Sequence, residues 1–223
     1  MKRFSVIIPA YDRPVLFADV GANADCKPEY LVQFAKMGAI YMQAVMGVAA
    51  PTVGLLNIGE EDTKGSAFAL EAHALLAEQL PAFAGNCEGG DIISGAFDVV
   101  ITDGFTGNVC LKTIEGTSKV LFRYMRDALT SSLKAKIGSA LVHGDLRALK
   151  AKLDPDQYGG TPLLGVKGVC MVGHGSSGAT AVKNGILAGC RQVRHGVPQR
   201  IAEAFASVPD GPSQGKEGGL PCS

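Results

Sequence analysis

The chain has 223 residues, enough to bury one substantial core. Its 21 basic residues balance 21 acidic ones, so no overall field draws nucleic acid and no nucleic-acid partner is expected. The cysteines at 26, 87, 110, 170, 190 and 222 form no C-x-x-C pair, have no histidine at metal-ligand spacing and follow no secretory leader, which predicts reduced thiols, no metal and a cytoplasmic location.

In chain order, the opening MKRFSVIIPAYDRP reads as a strand in which Val6, Ile7 and Ile8 are closed by Pro9. A strand over 15–20 precedes a helix over 28–50, where Pro28 suits the first turn because its missing N–H costs nothing there. From Met37 to Gly59 no residue is charged, a length that raises the question of a membrane span. Gln43, Pro51, Asn57 and four glycines argue against one, and a helix followed by a buried strand over 52–58 accounts for the stretch. Further strands are predicted over 97–102 and 169–172, and helices over 66–79, 107–129, about 139–153, 178–189 and 198–206. The alternation of strand, loop and helix means an α/β fold with a parallel sheet, here one domain over 1–206. The run SVPDGPSQGKEGGLPCS over 207–223 predicts a disordered tail.

Between Lys119 and Lys152 eight basic residues face two acids, a local net of +6 in a neutral chain. Apolar residues such as Leu121, Tyr124, Ile137 and Leu149 recur among them at helical steps, predicting a cationic amphipathic helix pair over about 117–153 with a bend near Gly138. Core or dimer packing and attachment to a membrane surface are both open readings of it.

Two segments carry the chemistry. DVVITDGFTGNVCLKTIEG, Asp98 to Gly116, passes from an apolar strand through a glycine-flanked polar turn into a helix, the usual address of a ligand in α/β proteins. Asp103, Thr106, Asn108 and Lys112 gather there, although Asp103 and Thr106 also suit simple helix capping. The second segment, GHGSSG at 173–178, also opens a helix. As a dinucleotide fingerprint it lacks the acid expected about 20 residues on, where Arg191, Arg194 and His195 stand. As a nucleophile elbow at Ser177 it lacks any acid before His195. Free helix-start amides, glycines that permit close approach and two hydroxyls fit a phosphate anion. His174 is either a satisfied structural histidine or a hydrogen-bond donor to that anion.

These segments stand in order with DVGANADCKPEYLVQFAKMG at 19–38, VGLLNIGEEDTKG at 53–65, FAGNCEGGDI at 83–92 and YGGTPLLGVKG from Tyr158. Together they resemble the bacterial phosphate acyltransferases of phospholipid synthesis, which move a fatty acyl chain from acyl carrier protein to inorganic phosphate. The resemblance runs from about Asp19 to His195 and leaves the family's amino-terminal third without a counterpart. It implies a mostly parallel, doubly wound sheet of the isocitrate/isopropylmalate dehydrogenase and phosphate acetyltransferase type, with a protruding amphipathic helix pair. It implies catalytic contributions from Lys112, His174, Asn108 and Asp103, and phosphate contacts from Gly175, Ser176, Ser177 and Asn86. Asn23, Glu60, Lys64 and Asp91 are further family-block residues, with Asp91 and Asp103 expected to pair with Lys112 or Lys64 or to cap turns. No cofactor is implied. The implied partners are acyl carrier protein, inorganic phosphate, an anionic membrane surface, a second copy in a homodimer and, downstream, a glycerol-3-phosphate acyltransferase; the implied location is cytoplasmic and peripheral to the membrane. Two alternatives stay open: a truncated, inactive fragment acting in membrane or partner binding, and a metal-dependent NAD(P) hydroxy-acid dehydrogenase, for which only Asp91 and Asp103 offer metal ligands.

Overall fold

Val15, Leu16 and Phe17 are wholly shielded from solvent, so the strand they form is buried on both faces, as a central strand of a parallel sheet must be. In the computed structural model, which describes residues 3–154, 157–173, 175 and 177–206, that strand is the second of seven. The elements run β1 (Arg3–Ile8), β2 (Val15–Ala18), α1 (Pro28–Met46), β3 (Val53–Leu56), α2 (Ala67–Gln79), β4 (Phe83–Cys87), α3 (Gly89–Ser94), β5 (Val99–Ile101), α4 (Gly104–Thr130), α5 (Leu133–Leu141), α6 (His143–Lys152), β6 (Thr161–Leu164), β7 (Met171–Val172), α7 (Ala179–Arg194) and α8 (Val197–Ala206). The sheet order is β4-β3-β5-β2-β1-β6-β7.

β2, β5, β3 and β4 run parallel, whereas β1, β6 and β7 join as antiparallel neighbours, so the sheet is mixed rather than parallel throughout. Alternation along the strands divides the core in two. Leu16, Val53, Leu55, Val99 and Ile101 point to one face and pack with Leu31, Phe34 and Tyr41 of α1, Leu76 of α2 and Ile201 of α8. Val15, Phe17 and Val100 point to the other, with Ile92 of α3 and Leu111 and Ile114 of α4. Helices therefore cover both faces, the doubly wound arrangement. At Gly38 α1 approaches the sheet so closely that an added Cβ would lie 2.8 Å from Val99 Cγ1. Burial pushes the Tyr41 phenol up to about 12, and nearby Arg191 of α7 partly offsets this.

At the amino-terminal edge of the parallel strands, the buried Asp98 carboxylate accepts from Thr52 N at 2.8 Å and Thr52 Oγ1 at 2.9 Å. The Arg13 guanidinium adds an ion pair at 3.4 Å, and its Nε and Nη2 donate to the carbonyls of Gly95 and Ala96. This clasp ties the turn before β2 to the start of β5.

Several expectations change. The helix predicted over 28–50 stops at Met46, because Gly47 takes φ 75° and caps it in the left-handed region. β4, α3 and β6 have no counterpart among the predicted elements. The predicted helix pair is three helices: α4 ends at Thr130, Ser132 starts α5 by accepting Ala135 N at 3.1 Å, and α5 gives way to α6 at Val142, leaving Gly138 inside α5 rather than at a bend. The tail predicted over 207–223 lies outside the described residues.

α4 has 27 residues, about 40 Å at 1.5 Å per residue, yet only Gly104 and Gly107 in it are buried. Its length beyond the sheet, with α5 and α6, is an exposed arm whose far end returns to the body. There Lys152 Nζ donates to the Tyr11 carbonyl at 3.4 Å and sits 5.7 Å from the Tyr11 ring centroid. Gly116 lies exposed within α4, and a Cβ there meets nothing within 4 Å. Gly116→Ala is accordingly expected to stabilise the protein by about 0.5–1 kcal/mol, read as a raised denaturation midpoint; a lowered midpoint would show the arm is covered in solution.

Candidate functional site

The first turn of α4 is seated by backbone contact. Asp103 Oδ1 accepts from Phe105 N at 3.0 Å and Thr106 N at 2.8 Å, capping the helix. Gly104 N donates to the Asn23 carbonyl at 2.9 Å, and a Cβ on Gly107 would collide with the Asp19 carbonyl oxygen. The turn after β2 is in its own right built around the fully buried Asp19 carboxylate. Asp19 Oδ1 accepts from Ala22 N at 3.0 Å, and Oδ2 accepts from Asn23 N at 2.9 Å and Asn23 Nδ2 at 2.6 Å. The 19–23 turn and the DGFTG turn thus fit together through main chain.

Beside them opens a cavity of about 730 Å³. One wall is a single face of α4, where Asn108, Lys112, Glu115 and Lys119 follow one another at steps of four, three and four. Phe4 and Val6 of β1 contribute an apolar floor, and Ala181, Val182, Gly185 and Ile186 of α7 a further wall, with Gly173 and Ser177 at the loop that leads into that helix. α7 starts from Gly178, which has no side chain to satisfy the first amides. Two segments more than fifty residues apart in sequence therefore line one cavity.

The position of α7 is set by glycine. Gly159, at φ 78°, lies so close to α7 that a Cβ would collide with the Asn184–Gly185 peptide, and a Cβ on Gly185 would come 2.5 Å from the Gly159 carbonyl oxygen. Buried Gln192 also donates to Met171 Sδ at 2.9 Å, holding α7 against β7. Tyr158, next to this contact, lines the cavity, and burial raises its phenol above the ordinary range.

The residues singled out in the sequence divide into those at the cavity and those elsewhere. Asn108, Lys112 and Ser177 line it. Lys112 is held by Glu115 at 2.9 Å, not by Asp91 or Asp103 as one expectation had it. Asp103 is not in the cavity wall; its charge serves the helix start. Gly175 is exposed on the loop, and the positions read as His174 and Ser176 lie outside the described residues. Asn23 belongs to the turn built on Asp19.

Asn86, expected at phosphate, is instead buried at the end of β4, on the other half of the sheet from the cavity. Its Nδ2 donates to the Glu61 carbonyl at 2.9 Å and its Oδ1 is 3.0 Å from His73 Nδ1, while His73 Nε2 lies 3.4 Å from Asp62. These contacts occupy its amide. Asp91 Oδ2 accepts from Glu88 N at 2.8 Å in a capping box that starts α3. Glu60 and Lys64 are exposed in the turn after β3, where the Lys64 carbonyl accepts from Asn57 Nδ2 at 3.0 Å. Cys87, beneath this turn, is buried, and desolvation with the nearby Asp91 charge pushes its thiol up. Sequence reasoning did not single out Asp19, His73, Glu115, Tyr158 or Lys119. Asp19 and Tyr158 each open one of the matching blocks, and Glu115 and Lys119 stand at helical spacing from Lys112; His73 carries no signal that sets it apart.

Comparison with known proteins agrees with the blocks read from the sequence. The chain matches the family described as "Fatty acid synthesis protein" over residues 2–200. A protein from Prochlorococcus marinus (strain MIT 9313) named phosphate acyltransferase is 50% identical over 192 residues, covering 86% of this chain and 43% of that one. One of the same name from Thermus thermophilus is 48% identical over 204 residues, covering 91% of this chain and 62% of that one. The chain thus spans about half the length of the curated relatives it matches. Among solved structures, EutD phosphotransacetylase from Staphylococcus aureus matches with a TM-score of 0.43 at 14% identity, over 53% of this chain and 43% of that one. From β1 to α8, then, the sheet, the two seated turns and the cavity between α4 and α7 are built by a chain that belongs to the fatty acid synthesis protein family, among relatives named phosphate acyltransferase.

Proposed function

We propose that the cavity between α4 and α7 serves acyl transfer from an acyl carrier protein thioester to inorganic phosphate. The observation that carries this reading is the shared cavity: Asn108 and Lys112 meet Gly173 and Ser177 in one space, in a chain of this family. Phosphate dianion is already nucleophilic near neutral pH, so the protein's task is to hold it beside the carbonyl and stabilise the oxyanion as it forms. Phosphate oxygen bonds to the acyl carbon, the carbon–sulfur bond breaks, and the carrier leaves as a thiolate that takes up a proton. Lys112 supplies positive charge, the amides at the start of α7 and Ser177 supply donors, and Asn108 orients the acyl carbonyl. The expected product is an acyl phosphate, the substrate class of a following glycerol-3-phosphate acylation.

The test is incubation of this chain with acyl carrier protein thioester and phosphate. Phosphate-dependent release of free thiol supports the reading; release that ignores phosphate removes it. Lys112→Ala is expected to slow the reaction by about tenfold or more, as for loss of one stabilising group, and an unchanged rate takes Lys112 out of the site.

The arm of α4, α5 and α6 supports a second element of the reading, peripheral attachment to an anionic membrane by a homodimeric cytoplasmic protein. Among the described residues no helix is long and apolar enough to cross a membrane. Leu121, Tyr124, Leu133, Ile137 and Leu141 are exposed on the arm among its basic residues, the combination that suits an interfacial helix. Each basic residue near an anionic surface contributes about 1 kcal/mol, weakened by salt. Cosedimentation with phosphatidylglycerol vesicles is expected to fall as salt rises; equal recovery with neutral phosphatidylcholine vesicles refutes this role.

A further inference from the structure

Tyr158 brings a phenol to the cavity wall, and no step of the transfer so far uses it. Its ring packs against the cluster that holds Leu31, Phe34 and Tyr41 of α1, and burial is what raises the phenol above its ordinary range. Among the described residues no hydrogen bond engages its hydroxyl. A half-buried hydroxyl at a cavity wall without a protein partner is a donor left for whatever enters. Main-chain contacts fix its place. Gly159, the next residue, abuts the Asn184–Gly185 peptide of α7, and a Cβ on Gly160 would come 2.9 Å from the Val172 carbonyl oxygen. The loop over 158–160 enters β6 on one side of β1, while α4 follows β5 on the other side of it. Tyr158 and Asn108 thus flank the floor that Phe4 and Val6 of β1 provide.

We propose that Tyr158 is a catalytic residue of the acyl transfer, its O–H donating a hydrogen bond to the acyl carbonyl oxygen from the side opposite Asn108. The proposal rests on the acyl-transfer reading for the presence of that carbonyl, and adds to it a donor that the anion-binding groups do not supply. As phosphate adds, the carbonyl oxygen takes on negative charge, and the bond from Tyr158 strengthens until the carbon–sulfur bond breaks. The apolar floor beneath keeps water from competing for the same oxygen. Tyr158 gives a hydrogen bond and keeps its proton. A free phenol has a pKa of about 10 and a free thiol about 8.5, so the departing thiolate is too weak a base to take the proton, and burial widens that gap.

The test compares the whole chain with Tyr158→Phe, which removes one oxygen and keeps the ring in its packing. Tyr158 is only half-buried, and circular dichroism checks that the variant folds like the parent. In thiol release from acyl carrier protein thioester, the variant is expected to lose about tenfold to hundredfold in kcat while KM for phosphate stays within about twofold, as for a donor used in the transition state. A second measurement reads the contact itself. Hexanoylphosphonate, isotopically labelled at its carbonyl, mimics the acyl phosphate product without transferring its acyl group, and its carbonyl stretch is recorded by infrared difference spectroscopy on each protein. The stretch is expected at lower frequency on the parent than on Tyr158→Phe, because a donated hydrogen bond weakens the carbonyl bond; a ring that only packs would leave it unmoved. Equal frequencies on the two proteins, or a parent that does not bind the probe, overturn the proposal. The two readings separate. A lowered frequency on a parent that releases no thiol keeps the Tyr158 contact and removes the transfer reading, whereas phosphate-dependent release at equal kcat by both proteins keeps the transfer reading and removes Tyr158 from the chemistry.

Discussion

Gly107→Ala is expected to destabilise the protein by about 3 kcal/mol and to lower its melting temperature by roughly 6–12 °C for a chain of this size. The reason is geometric. The Cβ of alanine would overlap the Asp19 carbonyl oxygen and lie 2.9 Å from Thr102 Cγ2. The closest obstacle is backbone, held by the Thr102 N–H donating to the neighbouring Ala18 carbonyl at 2.8 Å and by Asp19 N donating to the Thr102 carbonyl at 3.1 Å, so it has no rotamer through which to give. Relief requires α4 to lift from the 19–23 turn, which moves Asn108 and Lys112 with it. Thermal denaturation followed by circular dichroism measures the loss; a melting temperature within about 2 °C of the parent would show that the two turns are not in contact. Gly116→Ala makes the same chemical change further along the same helix with the opposite expected sign, so the pair separates steric collision from helix propensity.

Asp19→Ala should cost about as much, around 3 kcal/mol, by a different route. The substitution leaves three N–H donors of the turn without their acceptor, at Ala22, Asn23 and the Asn23 amide, and vacates a fully buried site. Hydrogen bonds to a charged acceptor are individually worth about 1.5–3 kcal/mol, but Ala22 and Asn23 are only half-buried, so water recovers part of the loss. Asp19→Asn keeps one carbonyl acceptor and is expected to cost roughly half as much. Because Asp19 and Gly107 touch, the double variant Asp19→Ala with Gly107→Ala should be less damaging than the sum of the single changes, read as a coupling of about 0.5 kcal/mol or more in chemical denaturation. Strict additivity would mean that the two turns are seated independently.

The parts of this fold that are legible in sequence are those in which burial is continuous. VLFA, VGLL and VVI are apolar throughout because β2, β3 and β5 lie inside the parallel half of the sheet. β4 reads FAGNC and β6 reads TPLL, with asparagine or proline interrupting the run, and their strand character comes from pairing with β3 and β1 rather than from their own composition. The same limit applies to the site. Asn108, Lys112 and the loop entering α7 stand out from local context, since a strand–turn–helix step marks a ligand address. Asn86 stands in as strong a block, yet strand order, which sequence alone does not display, puts it at the far edge strand of the parallel half, away from β1. Asp91 and Asp103 cap helices, one of the two alternatives expected of them, and Lys112 pairs instead with Glu115, three residues on, the helical neighbour within reach.

The contact of Gly159 with Gly185 has an evolutionary corollary. Where two main chains abut, no side chain is available to be lengthened, shortened or swapped, and any replacement at either glycine meets an atom of the fold itself. The gap between this loop and its helix is therefore not a dial that drift can turn by small steps. Retuning falls to adjoining positions such as Val182 and Ile186, so divergence among chains built this way should be tolerated there and arrested at the two glycines between and beside them.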